Sequence, residues 1–261
     1  MVGICYRELH TCPIRQLCSP QIPIMSLLAP GERIRGTALR LVREVTLEEG
    51  PLFTSAAALD VAGRMGMSRD AAYKALSLAA RAGIVSRLKG GLYRAEPPFG
   101  PAKVHEFVVA ATLVRPSVIA GPSVLSHWSL IDQMPLHIVT ASTPKSVLPP
   151  MSRGRSETGQ AQSGRHGWVI EGITYVYRRI PEAEMFGISD VWLDTDTQVA
   201  MFDRERAVLD TFLHPRGEGP ARFGELLIEE HRDDLDLEKF ERYAERSGKP
   251  RVVARITQAL Q

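Results

Sequence analysis

Residues Phe53 to Arg94 read FTSAAALDVAGRMGMSRDAAYKALSLAARAGIVSRLKGGLYR, a run punctuated as helix, tight turn, helix and short hairpin. Thr54 or Ser55 offers a hydroxyl that can satisfy an orphan N–H at the start of a first helix. That helix is predicted to run to about Arg64, with Ala58, Leu59 and Ala62 inward. Gly66 breaks it, because glycine reaches backbone angles other residues avoid. Ser68 caps a second helix, and Asp70 in its first turn suits the positive end of the helix dipole. Ala72, Leu76, Ala79 and Ala80 recur at spacings of three and four and form its apolar stripe. Arg69, Tyr73, Ser77 and Arg81 recur every fourth residue on another side, with Lys74 beside them. Gly83 ends the helix, and Ile84-Val85 and Leu92-Tyr93 flank Lys89-Gly90-Gly91, a hairpin signal.

That order matches a winged helix-turn-helix, in which the second helix enters the major groove and the hairpin lies along the backbone or in the minor groove. On this reading the DNA-binding residues are Ser68, Arg69, Tyr73, Lys74, Ser77 and Arg81 on the helix, with Arg87, Lys89 and Arg94 on the wing. A helical hairpin with a merely solvated face would carry the same helix charges. The hairpin favours DNA because it adds a third ordered element.

Working outward, residues 30–49 form a helix with Ile34, Ala38, Leu41, Val42 and Val45 on its inner stripe, ended by Glu49-Gly50-Pro51. Residues 25–95 thus make one domain. Residues 1–24 carry Cys5, Cys12 and Cys18, separated by gaps of six and five residues. Zinc sites usually space paired ligands more closely, and three cysteines in one tail do not make a disulfide framework. This segment reads as a disordered extension or as translation from a start upstream of the true one. It has no signal-peptide pattern, and no apolar run approaches the ~20 residues that span a bilayer, so a cytoplasmic protein with no membrane association is expected.

Residues 96–102 hold three prolines within five positions and read as a stiff linker to a C-terminal α+β domain over 103–261. There the pattern predicts a short helix over 103–114 and a helix starting near Gly121-Pro122. A strand over Leu136–Ala141 and a long loop over 143–166 follow. The next elements are a hairpin over 168–180 turning at Gly172 and a strand over Gln198–Phe202. Asp203 caps a helix over 204–214 that turns Val208, Leu209 and Phe212 inward. Pro215 to Pro220 breaks the chain before three helices over 221–231, 237–247 and 251–260, with Asp236 capping the second. The fold class is α+β, a winged helix-turn-helix followed by a mixed α/β domain.

The net charge of +2 hides a split. Residues 25–98 carry 11 Lys/Arg against 7 Asp/Glu, residues 99–180 carry 8 against 4, and residues 181–261 carry 11 against 18. Nucleic acid is attracted to the first two segments and repelled by the last.

No phosphate loop, dinucleotide-binding glycine motif, zinc-protease helix or nucleophile elbow is present, and neither catalysis nor a cofactor is expected. Gly187-Ile-Ser189 followed by Asp194-Thr-Asp196 imitates a nucleotidyltransferase site. The four residues between Ser189 and Asp194 are too few for that fold, and the acids lie in a polar run. His127 reads as a hydrogen-bonded core histidine, and His214 as a helix-end group that meets free carbonyls.

Several stretches resemble the AbiEi family of type IV toxin–antitoxin antitoxins. They are the small helical domain closing on Gly90-Gly-Leu-Tyr-Arg94, Ser126-His-Trp-Ser-Leu130 followed by Asp132-Gln-Met-Pro135, and Val199-Ala-Met-Phe-Asp-Arg-Glu-Arg-Ala-Val-Leu-Asp210. The closing helix from Arg251 is also similar. Arg204 and Ala207 depart from the family's usual proline and threonine. The resemblance implies an antitoxin that represses its own operon by binding promoter DNA with repeats and counters a nucleotidyltransferase-like toxin. Self-association on paired repeats would follow. Asp203, Arg206 and Asp210 form a structural cap and ion-pair cluster on this reading. The alternative is a winged-helix transcription factor that senses a small ligand and has no toxin partner.

Overall fold

The computed structural model describes residues 36–132, 137–147, 167–215 and 222–261. The readings of residues 1–35, of Gln133 to Leu136, of the loop over 148–166 and of the break over 216–221 lie outside the described residues.

The N-terminal unit holds α1 (Gly36–Glu49), β1 (Leu52–Thr54), α2 (Ser55–Arg64), α3 (Arg69–Arg81), β2 (Val85–Lys89) and β3 (Leu92–Ala95). Ala38, Leu41, Val42 and Val45 of α1 are buried against Ala58, Val61 and Ala62 of α2 and Ala72, Ala75, Leu76 and Ala79 of α3. Alanines here let three helix backbones approach closely. Thr54 caps α2 through a bond from the Ala57 N–H at 3.1 Å, and Gly66, at φ +73°, turns the chain between α2 and α3.

The expected two-stranded hairpin is a three-stranded antiparallel sheet, order β1-β3-β2. Strand β1 is three residues long, too short to show a period, and was not legible between two helices. Its pairing, Leu52↔Arg94 to Thr54↔Leu92, puts β3 in the middle. Side chains alternate along a strand. Phe53, Tyr93 and Ala95 therefore face α1–α3, with the Phe53 and Tyr93 rings 5.9 Å apart, while Leu52 and Leu92 join the core of the C-terminal unit. The sheet is covered on both faces.

Residues 96–100 form a folded turn rather than an extended spacer. Phe99 and Gly100 donate to the Glu96 carbonyl at 3.0 and 3.1 Å, and Phe99 packs back on the N-terminal core.

The C-terminal unit contains α4 (Glu106–Leu113), β4 (Val118–Ile119), α5 (Pro122–His127), β5 (Ile138–Thr143), β6 (Gly167–Ile170), β7 (Ile173–Arg179), β8 (Ile188–Trp192) and β9 (Gln198–Phe202). Helices α6 (Arg204–Leu213), α7 (Phe223–Glu230), α8 (Leu237–Arg246) and α9 (Pro250–Leu260) follow. Its strands make one mixed sheet, order β6-β7-β5-β4-β9-β8, parallel at β5/β7 and β4/β9 and antiparallel elsewhere. Helices and sheets share one chain in an α+β fold. The hairpin turning at Gly172, strand β9 and the caps at Asp203 and Asp236 stand where the sequence put them. Strands β4 and β8 are additions.

Candidate nucleic-acid interface

Helix α3 divides into two faces. One is small, apolar and buried. The other exposes Arg69, Tyr73, Lys74, Ser77 and Arg81, as the four-residue spacing requires. Tyr73 is 42% exposed, and the Arg69 guanidinium carbon lies 5.9 Å from its ring centroid. The Ser68 hydroxyl accepts from the Ala71 N–H at 3.3 Å, so this oxygen holds the first turn of the helix. Asp70 shares this exposed end.

The β2–β3 turn sits against the start of α2. The Ser55 N–H donates to the Gly91 carbonyl at 2.8 Å, and Gly91 has φ +75°. A Cβ there would lie 3.2 Å from the Ser55 hydroxyl, so residue 91 is small for two reasons. Arg87 is exposed, with Nε 3.4 Å from the Lys89 carbonyl. Arg87 opposes Tyr93 across the strands.

Two of the expected wing cations are turned elsewhere. Lys89 opposes Leu92, on the face that covers the C-terminal unit. Its Nζ donates to the Leu113 carbonyl and sits 5.7 Å from the Trp168 ring centroid, and burial lowers its pKa. Arg94 is 6% exposed, two residues along β3 from Leu92 and on the same face. It donates to Glu96 Oε1 from Nε and Nη2 at 2.9 and 2.7 Å, and bridges Glu171 with one bond at 2.7 Å and a second from Nη2. Its hydrogen bonds to the Glu171 carboxylate raise the Arg94 pKa further. Neither cation faces outward with Arg87. The cause is the C-terminal unit, which packs on the Leu52–Leu92 face of the sheet and supplies Leu113, Trp168 and Glu171 as partners. Alternation from Leu92 could have placed Arg94, but Glu171 lies 77 residues away and no local signal pairs them.

A second polar cluster lies in the C-terminal unit. Asp203 Oδ1 accepts the Arg206 N–H at 2.9 Å and caps α6. The fully buried Arg206 reaches Asp210 at 3.1 Å and the Glu184 carbonyl at 3.2 Å, with its guanidinium 4.2 Å from the Phe202 ring centroid. Arg178 bonds the other Asp210 oxygen, and Lys239 pairs Asp203 at 3.0 Å and Glu205 at 2.7 Å. Each of these charges is matched and locks α6 to β7 and α8, the structural role its sequence suggested. Gly187, at φ +65°, lets β8 pass this cluster, since a Cβ there would meet Arg206 Cβ at 2.6 Å.

Asp194 and Asp196 sit in the exposed β8–β9 turn, where the Asp194 carboxylate accepts the Asp196 N–H at 2.9 Å. His127 is half-buried with its ring edge-on to Phe107 and Trp128, and burial lowers its pKa. His214 differs from its sequence reading: its Nε2 meets Glu184 Oε2 at 3.2 Å rather than a helix-end carbonyl. The segment from Ser126 touches the segment from Val199, because Trp128 Nε1 donates to the Phe202 carbonyl at 2.9 Å.

No family model matches this chain, and no curated protein matches it. Among solved structures it is similar to the crystal structure of the Rv2827c protein from Mycobacterium tuberculosis, with a TM-score of 0.55 and 18% identity. The likeness covers 89% of this chain and 80% of that one. At that identity it is a likeness of fold. Among the described residues no helix is long and apolar enough to cross a membrane.

Proposed function

We propose that this chain is an AbiEi-type antitoxin. Its N-terminal unit acts as a winged helix-turn-helix that represses its own operon by binding repeats in promoter DNA. Its C-terminal unit counters a nucleotidyltransferase-like toxin. The observation that carries the DNA reading is the outward face of α3, where Arg69, Lys74 and Arg81 stand exposed and none forms an ion pair with the described residues. With Tyr73 and Ser77 they gather three cations and two hydrogen-bonding side chains on one capped helix, a surface that an external polyanion would complement. Ser77 and Tyr73 between them supply hydrogen-bonding groups and an apolar ring surface for base edges.

The reading of Arg87 as the outer wing contact rests on its exposure beside the Gly90-Gly91 turn. Lys89 and Arg94 are not part of this interface. For the C-terminal unit, support comes from the contact between the segments that begin at Ser126 and Val199, and from the exposed acids Glu229, Glu230, Asp233 and Asp234. A toxin that handles nucleotides or RNA needs basic surface, and these acids complement it. The experiment is a pair of variants, Arg69→Ala and Lys74→Ala, titrated with promoter DNA. A base-reading contact loses about 1–3 kcal/mol and relaxes specificity, whereas a phosphate contact weakens all sequences alike. Unchanged affinity in both variants rejects α3 as the groove helix. Charge reversal at the four acids with toxin neutralisation intact rejects the acidic surface.

A further inference from the structure

Strand β8 ends the six-stranded sheet, and no strand among the described residues pairs with its outer edge. The Gly187 carbonyl accepts the Asp203 N–H at 2.8 Å, and the Leu193 N–H donates to the Thr197 carbonyl at 2.9 Å. Backbone groups along an antiparallel strand alternate between its two sides. Ser189 and Val191 therefore bond β9, while the N–H and C=O groups of Ile188, Asp190 and Trp192 face the open side. The side chains of these three residues share one face, with Trp192 60% and Ile188 42% exposed and Asp190 between them. Val191, on the opposite face, packs on the core. Proteins usually blunt such an edge with charged side chains, proline or a bulge. β8 has no proline, and its register with β9 is unbroken from Ile188↔Phe202 to Trp192↔Gln198, so Asp190 is the one charge that guards this edge and selects what can pair with it.

We propose that this edge receives an extended segment of a protein partner, a strand bearing Lys or Arg with apolar residues two positions to either side. The inference stands apart from the DNA reading, since it uses no residue before Gly187. The backbone supplies donors and acceptors for strand addition, and pockets for alternate side chains supply the choice of partner. Asp190 decides that choice. A second copy pairing antiparallel with full overlap sets Asp190 against Asp190, a like-charge cross-strand pair. Shifting the register by two residues sets Asp190 against Ile188 or Trp192 and gives up part of the overlap. A cation opposite Asp190, with apolar groups opposite Ile188 and Trp192, satisfies all three positions at once.

The probe is a disulfide-closed hairpin peptide whose outer strand reads Thr-Ile-Thr-Lys-Thr-Ile-Thr, preorganised so that strand ordering does not mask binding. Fluorescence anisotropy with the full chain is expected to show saturable binding. The same hairpin with Glu for Lys is expected to bind about fivefold more weakly. Asp190→Lys reverses that preference. Asp190→Pro abolishes binding, because it removes an outward N–H while sparing the ladder to β9, and its melting temperature stays near that of the parent. Should the proline variant misfold, the reversal in Asp190→Lys carries the test. Absence of binding by either hairpin, equal binding of both, or unchanged binding in a folded Asp190→Pro overturns the proposal. So does a concentration-dependent dimer that Asp190→Pro abolishes, which assigns the edge to a second copy.

Discussion

Replacing Arg94 by alanine tests whether the hairpin is fastened to the C-terminal unit or stands free. The Arg94 side chain is 8% exposed and bonded to two carboxylates, Glu96 at 17% and Glu171 at 58% exposure. The half with Glu96 is partly buried, and losing a charge-assisted pair there costs about 1.5–3 kcal/mol. The half with Glu171 is exposed on one side and contributes at most about 1 kcal/mol. The buried aliphatic stem adds about 1 kcal/mol. Arg94→Ala is therefore expected to lose about 3–4 kcal/mol, and Glu171→Ala about 1, because Arg94 then keeps Glu96. Urea unfolding followed by circular dichroism, with the double variant, closes the cycle at a coupling of about 1 kcal/mol. Zero coupling, or equal loss in both single variants, refutes the fastening. DNA titration of the same proteins gives an independent reading. Arg94→Ala leaves the salt slope unchanged, whereas Arg87→Ala lowers it by about one.

Ser68→Asp retains an N-cap, so its stability should stay within about 0.5 kcal/mol of the parent by urea unfolding, while the added carboxylate on the exposed end of α3 is expected to weaken promoter binding if α3 is the groove helix. Gly187→Ala forces a Cβ to within 2.6 Å of Arg206 Cβ and 2.9 Å of the Tyr243 ring at φ +65°. Thermal melts should show a loss of about 3 kcal/mol, and a loss below about 1 would mean that β8 does not pass so close to α6. Burial, and then the Arg178 guanidinium, hold the His214 imidazole below its ordinary pKa. The unfolded chain then takes up the proton first, at about pH 6.5. The His214 contribution to stability is whole above that pH and falls as pH drops through it toward the folded value. His214→Gln should flatten this part of the stability–pH curve, and an unchanged slope between pH 7 and 5 would contradict it.

Local chemistry made the N-terminal helices legible. Thr54, Ser68, Asp203 and Asp236 each announce a helix start through an oxygen that can meet an orphan N–H, and each does so. The alanine stripe on α3 and the turn at Gly172 are equally local. Strands β1 and β4 were not legible because two or three residues show no period, and only their neighbours in space make them strands. The residues of β8, Ile-Ser-Asp-Val-Trp, do not alternate apolar and polar, so no period announces a strand there. The exposed half of the candidate interface followed from helical spacing alone. Lys89 and Arg94 were misread because their direction depends on Leu113, Trp168 and Glu171, which the sequence separates from them by many residues. A charge near a turn is a DNA contact only if nothing in the fold takes it first.

The most direct test of DNA binding by α3 is titration of the purified full chain with its own upstream promoter duplex and a scrambled duplex, across a salt series. Tight binding confined to the promoter, weakening steeply with salt and lost in Arg69→Ala/Lys74→Ala, is the result predicted. Equal, weak binding to both duplexes would contradict it, and would leave the three helices and their sheet as a structural module.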